Sequence, residues 1–337
     1  MHAMSSLYLE HFGLHSPPFS ITPDSSFFFA GGDRGMFSAA LLHAALQSEG
    51  IVLVIGEVGS GKTLMSRMLL TQLPDNVDTV YLPNPVFSRD EIIDVIARDL
   101  GIDAASQGMR LEALQQELIK RHARGRRIVV LIDEAHAMPA DSIEEVRRLS
   151  NLETDDHKLV QLILCGQPEL DTMLAKPSLR QVRDRVVYRL ILNQLSRDDA
   201  SAYLNHRIRI AGWRGERLFS GFGERLLLAD AQGRARRLNL IADKALLAAF
   251  AQGKRQVNKK HVRMAIQDAG STFSSATFSS ANLKQCRRWQ VAAAWLFTLV
   301  LTAIAVIWLV SRLNFVSITQ PDSPLKLQIS YILQHGG

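Results

Sequence analysis

Short runs of uninterrupted apolar residues recur along the first 190 residues, and the segments between them carry apolar residues at helical spacing. Runs rich in β-branched residues are typical of strands buried on both faces of a parallel sheet. We therefore predict an α/β fold in which strands and helices alternate along the chain. The predicted strands are residues 51–55, 79–82, 128–132, 159–165 and 186–191.

A longer apolar segment spans residues 291–310, which contain no charged side chain. As a helix, these 20 residues would cover about 30 Å, the thickness of the hydrocarbon core of a bilayer. Trp289, Trp295 and Trp308 lie near its ends, where indole rings suit the membrane interface. We predict a single transmembrane helix here; the alternative is a fully buried core helix.

The flanking charges indicate an orientation for this helix. Lys284, Arg287 and Arg288 precede it, whereas Arg312 alone follows closely. Because basic residues favour the cytoplasmic face, we expect the N-terminal part of the chain in the cytoplasm and residues 311–337 outside. We therefore predict a chain that crosses its membrane once.

The composition adds one feature to this picture, a local excess of basic residues. The 337 residues include 39 Lys and Arg, 33 Asp and Glu and 47% hydrophobic residues, which argues against disorder. Two Cys are too few for a disulfide framework or a four-cysteine zinc site. The basic excess is local, because residues 193–270 hold 15 Lys and Arg against 7 Asp and Glu. A solvated surface, phosphate contacts, an acidic partner or anionic lipid would each account for it.

A glycine-rich motif follows the first predicted strand directly and opens a segment with helical spacing. A strand, a G-x-x-x-x-G-K-T loop and a helix together predict a loop whose backbone amides surround phosphate groups. Lys62 is expected to contact the β- and γ-phosphates, and the Thr63 hydroxyl to bind Mg²⁺. The predicted ATP-binding residues are Gly56, Glu57, Val58, Gly59, Ser60, Gly61, Lys62, Thr63 and Leu64.

Polar residues follow two of the other predicted strands. Asp133 and Glu134 come directly after residues 128–132, and we predict that Asp133 organises Mg²⁺ while Glu134 activates the attacking water. Gln167 follows residues 159–165 and is a candidate sensor of the γ-phosphate; the alternative is an amide that bonds to the loop backbone. A histidine at the position of His136 is more often a capping or packing residue than a catalyst, and we assign it no role. All three motifs fall at the carboxyl ends of strands, where open α/β sheets bind ligands.

These motifs together resemble the AAA+ ATPases of bacterial general secretion and pilus assembly, the secretion pathway protein A (ExeA) and MSHA pilus biogenesis (MshM) group. The resemblance covers about 260 residues and rests on a combination of motifs rather than on any single one. The motifs that carry the resemblance lie at residues 8–14, 17–19, 22–24, 56–63, 131–136, 166–170 and 245–249.

The resemblance implies further roles. The segment up to Phe29 is expected to pack over the adenine side of the nucleotide. An arginine among Arg180, Arg183 and Arg185, with Arg185 the first choice and Arg183 the second, is expected to reach the γ-phosphate of a neighbouring subunit.

The resemblance also implies a sensor arginine in the lid. Arg236 falls on the sensor position of the family's Gly-x-Pro-Arg motif. Ala235 replaces the usual proline, so Arg237 remains an alternative.

The combined prediction is a P-loop AAA+ module, a parallel sheet with flanking helices and a small helical lid, followed by one transmembrane helix. It would couple ATP and Mg²⁺ to a bacterial envelope secretion or type IV pilus machine, acting as a homo-oligomer with a membrane-embedded partner. The alternatives are a DNA-transaction regulator, which the membrane helix disfavours, and a nucleotide-switched scaffold with little turnover. The predicted parts are 1–45 (segment over the nucleotide), 46–192 (core), 193–270 (lid), 271–290 (linker), 291–310 (membrane helix) and 311–337 (tail).

Overall fold

A computed structural model describes residues 8–47, 50–102, 110–153 and 158–274. Nearly all of these residues belong to one compact unit, Met1–Ser271. The predicted membrane helix at residues 291–310 and the predicted tail lie outside the described residues, as does most of the predicted linker. Within the described ranges, no helix is both long enough and apolar enough to cross a bilayer.

A five-stranded parallel sheet forms the centre of the molecule, which confirms the predicted α/β fold. Its strand order is β2-β3-β4-β1-β5, and every pair of neighbours is parallel. Strands β1 and β4 are buried along their whole length, as their largely apolar sequences predict; β4 includes one polar side chain, Gln161. The strands are β1 (Ile51–Gly56), β2 (Val77–Leu82), β3 (Arg127–Ile132), β4 (Val160–Gly166) and β5 (Val186–Leu192).

Helices cover both faces of the sheet. In β1, Leu53 and Ile55 contribute to one apolar layer, whereas Val52 and Val54 contribute to the other. This alternation follows from the two-residue period of a strand. The core helices are α1 (Arg34–Gln47), α2 (Lys62–Gln72), α3 (Arg89–Asp99), α4 (Arg110–Ala123), α5 (Ala140–Leu149), α6 (Pro168–Leu174) and the short α7 (Arg180–Arg183).

Four further helices form a lid after the sheet. Their apolar faces meet in a separate hydrophobic cluster, which also takes in aromatic residues from the beginning of the chain: Phe12, Phe19 and Phe27. Tyr8 belongs to this cluster as well, and its hydroxyl donates a 2.5 Å hydrogen bond to Asp243. The lid core is therefore built from both ends of the described chain. The lid helices are α8 (Arg197–Ile210), α9 (Gly221–Ala231), α10 (Ala235–Ala251) and α11 (Lys259–Ser274).

The turn between α9 and α10 holds the lid against the segment that leaves β5. Gly233 has a φ of +74°, and its carbonyl oxygen accepts a 3.0 Å hydrogen bond from the backbone nitrogen of Leu195. A Cβ atom added at Gly233 would lie 2.3 Å from the carbonyl oxygen of Leu195. This position therefore needs glycine for two reasons, its backbone conformation and the lack of space.

We expect Gly233→Ala to destabilise the lid more than Gly253→Ala does. Gly253 also has a positive φ, +62°, but a Cβ atom added there meets nothing within 4 Å. Both variants bear the left-handed strain of about 1–2 kcal/mol. Gly233→Ala bears in addition a steric cost of about 1–3 kcal/mol. Urea unfolding followed by circular dichroism measures the difference, and equal midpoints for the two variants would contradict the predicted clash.

Candidate functional site

The loop between β1 and α2 is shaped to hold an anion. Gly59 and Gly61 adopt positive φ angles of +79° and +107°, and Gly61 is the N-cap of α2. Lys62 is buried, and its Nζ donates hydrogen bonds to the carbonyl oxygens of Gly56 at 2.7 Å and Glu57 at 3.2 Å. A helix N-terminus, a glycine loop and a buried ammonium group together favour phosphate oxygens.

Next to this loop, Asp133 at the end of β3 forms a site suited to a hard cation. Its carboxylate accepts a hydrogen bond from the Thr63 side chain and a 2.9 Å bond from the backbone nitrogen of Glu134. Burial raises the pKa of Asp133, and these two hydrogen bonds oppose the rise. A divalent cation beside this carboxylate would favour its charged form.

The side chains of Thr63 and Asp133 fit Mg²⁺, which prefers oxygen ligands and retains several waters. Among the described residues, no group of three or more His, Cys, Asp and Glu side chains could hold a metal. Mg²⁺ in nucleotide-binding proteins commonly takes further ligands from phosphate oxygens and water. This ligand set is the one expected for a metal that arrives with a nucleotide.

Glu134 extends from the same strand end toward Gln167. Its backbone is left-handed, with a φ of +52°, and its side chain is 40% exposed. Gln167 Nε2 lies 3.3 Å from Glu134 Oε2 and 2.8 Å from His136 Nε2. The three polar side chains meet because β3 and β4 are neighbours and their carboxyl ends share one edge of the sheet. His136, for which we predicted no role, is thus a member of this cluster.

A cavity of about 340 Å³ connects these groups with the lid. Four of its lining residues, Arg34, Tyr203, Arg207 and Asn239, were not predicted from the sequence. Arg34 is buried, and its Nη2 donates a 3.1 Å hydrogen bond to the carbonyl oxygen of Ser60 in the glycine loop. The other lining residues are Ser20, Ile21, Thr22, Pro23, Asp24, Phe28, Phe29, Val58, Gly59, Ser60, Gly61, Lys62, Thr63, Leu64, Met65, Glu134, Gln167, Ala235 and Arg236.

A scan against protein families matches residues 45–174 to the family described as AAA domain. The chain contains an AAA domain. The matched region runs from the end of α1 to the end of α6 and includes the glycine loop, the end of β3 and Gln167. This family is a nucleotide-binding one, and its match supports an ATPase.

The predicted resemblance to secretion proteins is also confirmed. The chain is 35% identical over 277 residues to general secretion pathway protein A of Aeromonas hydrophila. The alignment covers 81% of this chain and 50% of the relative, so the chain spans about half the length of the curated relative it matches.

Solved structures with similar architecture are more distant in sequence. Cdc6p of Pyrobaculum aerophilum aligns with a TM-score of 0.59 at 19% identity, covering 73% of this chain and 70% of that one. The ORC2 protein of Aeropyrum pernix aligns with a TM-score of 0.53 at 18% identity, covering 73% and 72%. At this level of identity the similarity extends to the fold alone, a P-loop AAA fold.

Beyond the matched region, the lid brings Arg236 to the cavity beside the glycine loop. A Cβ atom added at Gly59 would lie 3.1 Å from the Cβ of Arg236, so α10 begins directly beside the glycine loop. Arg237 does not line the cavity, and its Nε is 2.9 Å from Asp230 Oδ2. Of the two alternatives left open by the sequence, Arg236 is the one that faces the cavity.

The three candidate trans arginines follow the matched region and do not line the cavity. Arg180, Arg183 and Arg185 are all exposed, and Arg180 is 3.6 Å from Asp184. Arg185 precedes β5, and its carbonyl oxygen accepts a 2.8 Å hydrogen bond from Ile51 at the start of β1. The glycine loop follows the other end of β1. None of the three is brought to the phosphate site of its own chain.

Proposed function

We propose that this chain hydrolyses ATP, with Mg²⁺, to ADP and phosphate. The observation that carries the proposal is the meeting of three groups at one edge of the sheet: the glycine loop with Lys62, the Thr63–Asp133 pair, and Glu134. Lys62 would bind the β- and γ-phosphates, and Thr63 and Asp133 would hold Mg²⁺, which when bound would supply positive charge near the transferring phosphoryl group.

Glu134 acts as the base in this proposal. Its carboxylate orients the attacking water and accepts its proton, while the amide of Gln167 holds the carboxylate and senses the γ-phosphate. Arg236 contributes a second cation from the lid, so closure of the lid over the nucleotide completes the site. In this arrangement the Gln167–His136 contact fixes the direction of the Gln167 amide.

The site is completed by a neighbouring copy of the chain. An exposed arginine that lies outside its own cavity, Arg185, suits a phosphate held by another subunit. The edge strand β5 follows Arg185 and carries exposed apolar side chains along its length, with Val187 57% and Ile191 47% exposed. Such apolar surface is typical of protein–protein contacts. We therefore propose a homo-oligomer whose active sites lie between subunits.

We further propose that the ATPase drives or gates a bacterial envelope secretion or type IV pilus machine. The similarity to general secretion pathway protein A supports this role. The uncharged segment at residues 291–310 supports anchoring in the inner membrane, with the AAA domain in the cytoplasm. A membrane-embedded component of that machine is the proposed partner.

Crosslinking in cells tests this role. The Glu134→Gln chain, which would retain ATP, is expected to recover secretion or pilus components from the membrane fraction at least as well as the wild type. The matched control is the Lys62→Ala chain, which would not hold the phosphates. It should recover far less of these components than the Glu134→Gln chain does. Mass spectrometry of the crosslinked material reads the outcome. Recovery of DNA-transaction proteins alone would contradict the proposed role.

A further inference from the structure

A buried arginine of the lid, Arg207, lines the nucleotide cavity with one donor unused. Only 5% of its surface is exposed. Its Nε donates a 2.5 Å hydrogen bond to the carbonyl oxygen of Pro18, and its Nη1 donates a 2.8 Å bond to the hydroxyl of Tyr203. Its Nη2 is fully buried and has no hydrogen-bond partner among the described residues. Buried donors without a partner are rare and call for an explanation.

The surrounding side chains hold the guanidinium group in one orientation. Its Cζ lies 4.8 Å from the ring centroid of Phe27 and 5.6 Å from that of Tyr203, so it packs against both rings. The Tyr203 hydroxyl in turn donates a 3.1 Å hydrogen bond to Asn239 Oδ1. With Nε and Nη1 both engaged, the direction of Nη2 is fixed by the protein before any ligand binds.

Among the described residues, no acidic side chain accepts a hydrogen bond from Nη2 of Arg207. Asp24 lines the same cavity, but its Oδ1 accepts hydrogen bonds from the hydroxyl of Ser26 at 2.7 Å and from its nitrogen at 2.9 Å. These two bonds, and to a smaller extent the charge of Arg207, lower the pKa of the Asp24 carboxyl. Arg34, the other buried arginine of the cavity, differs because its Nη2 is used by the carbonyl oxygen of Ser60. Arg207 is thus a buried cation of the cavity with a donor nitrogen that no described residue uses.

The position of Arg207 indicates which part of a nucleotide would use this donor. Phosphates at the glycine loop leave the base to the rest of the cavity, whose walls come from residues 20–29, α8 and α10. These walls include the apolar side chains of Ile21, Phe28 and Phe29. Apolar walls with a few placed polar groups are typical of sites that bind small ligands.

We propose that Arg207 reads the base of the bound nucleotide: the side chains that enclose Nη2 move aside on binding, and Nη2 then donates a hydrogen bond to a ring-nitrogen acceptor of adenine. The inference rests on the proposed function, since it takes ATP as the ligand. A guanidinium group is a donor only, so it pairs with an unprotonated ring nitrogen. Removing a hydrogen bond made by a charged donor weakens binding about 10- to 100-fold.

Analogues of ATP test the proposal without altering the protein. In 1-deaza-, 3-deaza- and 7-deaza-ATP, one ring nitrogen is replaced by a carbon that accepts no hydrogen bond. Dissociation constants are measured by competition with a fluorescent nucleotide, using the full-length chain with Mg²⁺. We expect one analogue to bind about 10- to 100-fold more weakly than ATP and the other two to bind as ATP does. Equal binding of all three analogues and ATP would overturn the inference.

Variants assign the effect to Arg207. In Arg207→Gln, ATP is expected to lose affinity by about the same factor, and the weakly binding analogue should no longer differ from ATP. Arg209→Gln, an exposed arginine on the same helix, is the control for loss of charge and should keep the wild-type pattern. If Arg207→Gln does not fold, Arg207→Lys replaces it, because Lys keeps the charge and loses the planar fork.

Three results would count against the inference in different ways. If 2′-deoxy-ATP binds the wild type more weakly than ATP does, and this difference vanishes in the Arg207 variant, Arg207 reads the ribose instead. Discrimination among the deaza analogues that survives in the Arg207 variant would assign base reading to another group. If neither ATP nor any analogue binds the wild type, the proposed function itself fails.

Discussion

Glu134→Gln is expected to lower ATP turnover by about 100- to 10,000-fold while ATP binding is retained. Gln has nearly the same shape as Glu but accepts no proton from the attacking water. The structure places this carboxylate beside the nucleotide cavity, 3.3 Å from Gln167 Nε2. Steady-state phosphate release at saturating ATP and Mg²⁺ measures turnover, and competition with a fluorescent nucleotide measures binding.

A matched control separates this role from a general loss of charge. Glu216 is exposed in the lid and does not line the cavity, so Glu216→Gln should retain wild-type turnover. If Glu134→Gln hydrolyses ATP within tenfold of the wild type, Glu134 is not the base. A parallel loss of ATP binding would instead indicate that the substitution damaged the site.

Arg185→Ala is expected to lower turnover by about 1,000- to 100,000-fold, the range known for arginines that act on a phosphoryl group from another subunit. Arg185 is exposed and lies outside the cavity of its own chain. Its loss should therefore leave nucleotide binding by the isolated chain intact. The measurement is phosphate release at chain concentrations high enough for assembly.

Mixing two inactive variants tests whether the arginine acts in trans. Arg185→Ala chains keep Glu134, and Glu134→Gln chains keep Arg185, so a mixed oligomer contains some complete sites. Turnover should therefore reappear on mixing, whereas Arg124→Ala, an exposed arginine after α4, should retain wild-type activity alone. Unchanged turnover in Arg185→Ala, with a large loss in Arg183→Ala, would assign the role to Arg183.

Local patterns were sufficient to predict the sheet. The predicted strand at residues 128–132 appears as β3 (Arg127–Ile132), and the prediction at 159–165 appears as β4 (Val160–Gly166), within one residue at each end. These strands are recognisable because burial on both faces demands continuous apolar residues. The glycine loop and the residues after β3 follow strands of one parallel sheet and lie at its carboxyl edge, while the roles assigned to them stay predictions.

The lid side of the cavity could not be predicted in this way. Arg207 lies in the basic stretch at residues 193–270, whose sequence is equally consistent with a solvated surface. Its burial depends on Phe27 and Pro18, which lie 180 or more positions earlier in the chain. Arg34 likewise reaches the glycine loop only because α1 folds back onto the sheet. Contacts between such distant residues leave no periodic pattern in the sequence.

The composition of the lid core has a consequence for the order of folding during synthesis. Tyr8 and its partner Asp243 are 235 positions apart. Ribosomes add about 5–20 residues per second, so roughly 10 to 50 seconds pass between the synthesis of these two residues. The sheet can complete in this interval, while Phe12 and Phe19 still lack the helices that bury them. Residues made near the beginning are therefore among the last to reach their final place.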